Sequence, residues 1–334
     1  MKKTLKYILL IFIINSKLMA QQDAQFSQYM FNKTLINPAA AGSDHLNATL
    51  LYRNQWISQP GAPKSTGFAV DAPLNNKKVG LGLIILNTSQ GPLAFTRINS
   101  NYSYKINLSE NSDFYLGLQA GIVQYGIDRS ELITTKDISL DPTFSSSNMR
   151  RIIPDFGFGM MYKSEKFYIG LNVPHLLQSK IKFINEVIDT SGLGLDKRVK
   201  FTQIFRHYFF TSGFKYNLND EIQIQPSVMA RYVVNAPIAA DLNCNIVYKE
   251  IFWGGLGYRF SNLGGVIGML GLNISNTLKV GYAFDFTTSG LSANSGTSHE
   301  IMLSYHLETI TNKRASQGSG KKKKGGAKKP YFLK

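Results

Sequence analysis

From His45 to Glu308 the chain alternates apolar and polar residues, stretch after stretch, and this limits its possible folds more than any other feature. Leu278, Val280, Tyr282, Phe284 and Phe286 alternate with Lys279, Gly281, Ala283, Asp285 and Thr287. Ile301, Leu303, Tyr305 and Leu307 alternate in the same way with Glu300, Met302, Ser304, His306 and Glu308. Successive side chains of a strand point to opposite faces, so each stretch is a strand with one apolar face. Fourteen can be marked: 45–54, 65–73, 77–88, 94–107, 112–126, 152–163, 166–174, 205–217, 221–235, 238–249, 251–262, 264–275, 278–288 and 298–308. The fold class is all-β.

The connectors sharpen this reading. Every second one is short, as at Asn75-Asn76, Ser164-Glu165 and Lys249-Glu250. Most of those between are longer: Gln55 to Lys64, Ser89 to Leu93, Ile127 to Arg151, Val173 to Ile204 and Ser289 to Thr297. An even strand number, tight turns on one rim and long loops on the other describe a transmembrane antiparallel β-barrel of about 14 strands. Soluble sandwiches use strands of about 5–6 residues, whereas about ten residues suit a tilted bilayer crossing. Tyr52, Tyr104, Tyr208, Tyr248, Tyr258 and Tyr305 fall near strand ends, where a girdle at the membrane interface is expected. In lipid such a sheet must close, because an open edge leaves backbone groups unpaired.

The ends of the chain differ from this body. Residues 1–20 read as a signal peptide: Lys2, Lys3 and Lys6, then the apolar run Tyr7 to Ile14, then Leu18-Met19-Ala20. Residues 309–334 form a Lys-rich tail with a Gly/Ser-rich hinge at Gln317 to Gly320, expected to be disordered and periplasmic. Of the net charge of +16, four positive charges lie in residues 1–20 and nine in 313–334, which leaves +3 for the body. The basicity is therefore terminal, and nucleic acid is not expected as a partner. The expected location is the outer membrane, with both mature termini on the periplasmic side.

No nucleotide-binding glycine loop or zincin motif occurs, and a single cysteine excludes a disulfide within the chain. Ser298-His299-Glu300 is not a catalytic array, because neighbours on a strand face opposite ways. No catalytic residue, cofactor or metal site is expected. Inward positions read mostly as Asn, Thr, Ser, Gly and Gln with few charges, and the strand glycines as bends or close inward packing.

Residues 21–44 do not alternate. Phe26, Tyr29 and Met30 are spaced for one or two helical turns with an apolar stripe, and Asn37-Pro38 marks a turn before the small residues Ala39 to Ala41. Such a stripe seeks a surface, either the barrel interior as a plug or rim segment, or a partner. Two other segments suggest partner binding. The connector from Val173 to Ile204 carries apolar Leu176, Leu177 and Phe183 on the expected extracellular side. The tail pairs Lys321, Lys322, Lys323 and Lys324 with Tyr331 and Phe332, a combination suited to docking on an acidic surface.

Gln25-Phe26-Ser27-Gln28-Tyr29-Met30-Phe31-Asn32, with Ile36-Asn37-Pro38-Ala39 and Ala41-Gly42-Ser43 after it, resembles the opening signature of the PorP/SprF family. Tyr52-Arg53-Asn54-Gln55-Trp56 and Pro60-Gly61-Ala62-Pro63 are similar to the next part of that family's pattern, while Ala24, Lys33-Thr34-Leu35 and Ala40 depart from it. The resemblance implies a non-catalytic outer-membrane barrel of the type IX secretion and gliding-motility apparatus of Bacteroidetes. An SprF-like member would serve secretion or surface attachment of a large adhesin. A PorP-like member would link the outer membrane to the periplasmic ring of the machine. A diffusion channel is the alternative outside that system.

Overall fold

The computed structural model describes residues 23–74, 77–128, 149–183, 200–234, 236–261, 264–288 and 296–307. The expected signal peptide and tail, with Lys321, Lys322, Lys323, Lys324, Tyr331 and Phe332, lie outside these residues.

Among the described residues the strands are β1 (Leu46–Asn54), β2 (Lys64–Leu74), β3 (Val79–Gln90), β4 (Leu93–Ser109), β5 (Ser112–Ile127), β6 (Met149–Ser164), β7 (Phe167–Val173), β8 (Lys180–Phe183) and β9 (Lys200–Gln203). They continue as β10 (His207–Phe214), β11 (Tyr216–Asn217), β12 (Ile222–Val233), β13 (Ala239–Tyr248), β14 (Phe252–Phe260), β15 (Gly265–Asn273), β16 (Leu278–Thr287) and β17 (Ser298–Leu307). Strands β8 and β9 pair only with each other, and β11 extends the β10 position beside β12. The other fourteen form one antiparallel ring in chain order. It closes where β1 pairs with β17, Leu46 opposite Leu307 and Asn54 opposite His299. All fourteen expected strands are present.

The outer face is predominantly apolar. Leu118, Ile246, Leu256, Leu270 and Ile301 are exposed, Leu256 to 70%. In water so broad an apolar skin would aggregate, and in a bilayer it is the lipid-facing band. Exposed tyrosines mark both rims: Tyr52, Tyr208, Tyr232 and Tyr258 on the long-connector side, and Tyr104, Tyr216, Tyr248 and Tyr305 on the other. Cys244 lies on the outer face.

Two expectations change. The connector from Ser89 to Leu93 is a tight turn over Gly91 and Pro92, because Gly91 adopts a positive φ and reverses the chain at once. The apolar connector from Val173 to Ile204 carries the β8–β9 pair rather than only a loop.

Candidate functional site

The functional interest lies inside the barrel. Residues 23–45 occupy the lumen and reach nearly all round its wall. They form three short 3₁₀ turns, Tyr29–Phe31, Lys33–Leu35 and Pro38–Ala40, instead of the expected helical stripe. The reason is geometric. Phe26 packs toward Gly67 of β2 while the Tyr29 hydroxyl reaches Ser227 of β12, seven places away in the ring of fourteen. Side chains that must touch opposite walls cannot share one helical face. Phe31 packs on Trp253 with ring centroids 4.4 Å apart, and Met30 is half-buried against the same cluster.

The turn at Asn37-Pro38 forms as expected. Asn37 Oδ1 accepts from the Ala39 amide, and Asn37 Nδ2 donates to the carbonyls of Met160 and Leu171 on β6 and β7. Wall glycines make the seat for the alanines beyond this turn. A Cβ on Gly117 would lie 2.1 Å from the Ala39 nitrogen, and one on Gly80 would lie 1.9 Å from the Ala41 carbonyl oxygen. These glycines are close-packing positions rather than bends.

A continuous ion-pair network holds the other end of the segment. Arg53 lies 2.6 Å from Asp285 and 3.2 Å from Glu300. Arg259 lies 2.7 Å from Asp285 and 2.9 Å from Asp241, and Arg231 lies 3.2 Å from Asp241. Three guanidiniums alternate with three carboxylates along six strands. The segment completes this network. The amides of Ser27 and Gln28 donate to the two oxygens of Glu300 at 2.7 and 2.9 Å, and Ser27 Oγ accepts from Arg53 and Arg259 while donating to Asp285. The expectation of an inner wall with few charges is thus overturned. Each of these six residues sits alone on its own strand, and only the closed ring brings them together.

A second cluster lies where the described chain begins. Asp23 accepts from Arg97 at 2.7 Å and faces His175 Nε2 at 3.3 Å, while His175 Nδ1 is 2.7 Å from Asp155. Burial pushes the Asp23 carboxyl up, but Arg97, His175 and His207 outweigh it and hold it well below the usual carboxylate range. For His175, burial works downward, while Asp23 and Asp155 raise its pKa to about 8. This cluster adjoins the long-connector ends of β7 and β10, whereas Lys163 binds Ser43 and Asp44 at the short-turn rim. The segment therefore runs the length of the lumen. The expected N-terminus on the short-turn side does not apply to Asp23, although β1 starts there and β17 ends there.

Of the residues expected to bind a partner, Phe26, Tyr29, Asn37 and Pro38 are buried against the wall of their own barrel. A partner reaches them only if the segment leaves its seat. Leu177 is exposed at 55%, with Leu176 beside it on the long-connector side, and Phe183 ends β8.

The sequence pattern of the family described as "Type IX secretion system membrane protein PorP/SprF" matches residues 18–305. The chain belongs to the PorP/SprF family. Comparison with curated protein sequences finds no match. Among solved structures the chain is similar to a FadL homologue of Pseudomonas aeruginosa, with a TM-score of 0.46 and 11% identity over 82% of this chain and 93% of that one. It is also similar to the CymD monoaromatic hydrocarbon channel, with a TM-score of 0.46 and 10% identity over 87% and 95% of the two chains. The toluene transporter TodX of P. putida gives a TM-score of 0.45 and 10% identity over 83% and 94%. Family membership and the closed, apolar-skinned ring make this a membrane protein of type IX secretion with an outer-membrane barrel architecture.

Proposed function

We propose that this PorP/SprF member is a non-catalytic docking barrel of the SprF-like kind, needed for secretion or surface attachment of a large adhesin. The observation that carries this reading is the filled lumen. Residues 23–45 occupy the bore and bond to its charged wall, whereas a diffusion channel needs a continuous polar path. Leu176, Leu177 and the β8–β9 pair then offer an outward docking surface, and the basic tail offers a periplasmic one. The PorP-like role at the periplasmic ring uses the same architecture and differs in which of these surfaces matters.

The docking reading is tested by inserting the intact purified barrel into a planar bilayer. It should show no sustained open-channel conductance, and a steady, ion-selective pore would favour the diffusion channel. The tail is tested separately. Removing residues 313–334 should leave the barrel assembled but reduce recovery of periplasmic machine components at low salt, because attraction between exposed charges is screened as ionic strength rises. Equal recovery with and without the tail at every ionic strength would remove its docking role.

A further inference from the structure

The cluster at Asp23 has the chemistry of a cation site. One ligand atom each from Asp23, His175 and His207 lies within 4.8 Å of the others. The three come from the N-terminal segment, the connector after β7 and the first residue of β10, so no motif spacing reveals them.

In their neutral forms both imidazoles have the hydrogen-bond supports that a metal-binding ring uses. Arg97 has only donors and sits 3.0 Å from His175 Nε2, while Nδ1 is 2.7 Å from the Asp155 carboxylate, so a neutral His175 carries its proton on Nδ1 and turns the Nε2 lone pair into the cluster. His207 Nδ1 donates to the Phe205 carbonyl at 3.1 Å, and its Nε2 accepts from the Asp23 amide at 3.4 Å. Metal-binding histidines characteristically donate their second ring nitrogen to a carboxylate or a backbone carbonyl, which orients the ring. Here one ring has each kind of support.

His175 Nε2 and both carboxylate oxygens of Asp23 face one another at 3.3 Å. With a neutral His175 these are lone pairs opposing lone pairs, an arrangement that calls for a cation between them. Arg97 supplies one in this structure. Its seat is incomplete: Arg97 Nε is buried without a hydrogen-bond partner and lies 4.0 Å from Asp155 Oδ2. Ligands about 2.0–2.1 Å from a tetrahedral ion stand roughly 3.3 Å apart, which matches the Asp23–His175 separation.

We propose that Asp23, His175 and His207 bind a divalent transition ion of the zinc class, which pins the N-terminal segment to the barrel wall. Two imidazole nitrogens and one carboxylate suit zinc, cobalt, nickel or copper rather than magnesium or calcium. The incoming ion displaces Arg97 Nη2, and the guanidinium turns toward Asp155. With neutral imidazoles, the two carboxylates and one guanidinium leave the cluster at net −1, so a divalent ion is electrostatically welcome.

The test is Zn2+ titration calorimetry and Co2+ absorption spectroscopy on the full mature chain in detergent at mildly alkaline pH. One ion per chain is expected, with a Co2+ spectrum showing nitrogen ligation. His207→Ala and Asp23→Asn should abolish it, and Asp155→Asn should weaken binding roughly 10–100-fold. Arg97→Gln should tighten binding by removing the competing cation. Heat-modified gel mobility checks that each variant has folded. The proposal is overturned if the intact chain binds no stoichiometric Zn2+. It is equally overturned if folded His207→Ala and Asp23→Asn bind as tightly as the parent, which would assign the ion to histidines elsewhere.

Discussion

Replacing Arg53 with alanine is expected to destabilise the folded barrel by about 3–5 kcal/mol, the usual effect of removing one partner from a buried ion pair. Arg53 is 2% exposed and is shared between Asp285 and Glu300, so its loss leaves two buried carboxylates short of their cation. Arg259 still reaches Asp285, but Glu300 has no second arginine among the ion pairs of the described residues. Glu300 also accepts the Ser27 and Gln28 amides, so its altered charge balance reaches the N-terminal segment directly. Urea-dependent unfolding in lipid vesicles measures the effect. Adding Glu300→Gln to Arg53→Ala should recover part of the loss by removing the unpaired charge. An Arg53→Ala barrel as stable as the parent would show that the network does not hold the wall and segment together.

Deleting residues 23–42 is expected to convert a closed barrel into a conducting pore. These residues supply Phe26, Tyr29 and the Pro38 to Ala41 turn that fill the bore, and without them Arg53, Arg231, Arg259, Asp241, Asp285 and Glu300 line an aqueous path. Fourteen strands enclose more space than their own inward side chains can fill. Gly117→Val reaches the same result with the segment still present. A side chain at that position collides with the Ala39 backbone, which cannot yield as a flexible side-chain tip would. Both variants should show stepwise conductance in a planar bilayer where the parent shows none. Closed traces from a correctly inserted deletion variant would mean that other residues seal the bore.

The barrel was legible because lipid outside imposes one simple demand: every second residue must be apolar, whatever its neighbours in space. Leu278 to Phe286 and Ile301 to Leu307 show this without reference to any other strand. The interior obeys a different rule. Arg53 is explained by Asp285 and Glu300, more than two hundred residues away, and Asp23 by His175 and His207. A signal was available in part, since Asp285 and Glu300 occupy inward positions of two clearly alternating strands. A carboxylate facing a closed bore must find a cation there. The sequence offered the wall glycines as bends or close inward packing and Ala39 to Ala41 as small residues beyond a turn. Which of them meet, Ala39 with Gly117 and Ala41 with Gly80, depends on how the segment threads the ring.

Whether this barrel serves the export or attachment of a surface protein is tested most directly by deleting its gene. Surface-exposed proteins are then compared quantitatively with those of the parent and of a strain carrying the restored gene. The expected result is the loss of one large surface protein, or of a small set, with other exported proteins retained and the defect reversed on restoration. An unchanged surface protein profile, with the deletion confirmed, would contradict a role in export or attachment.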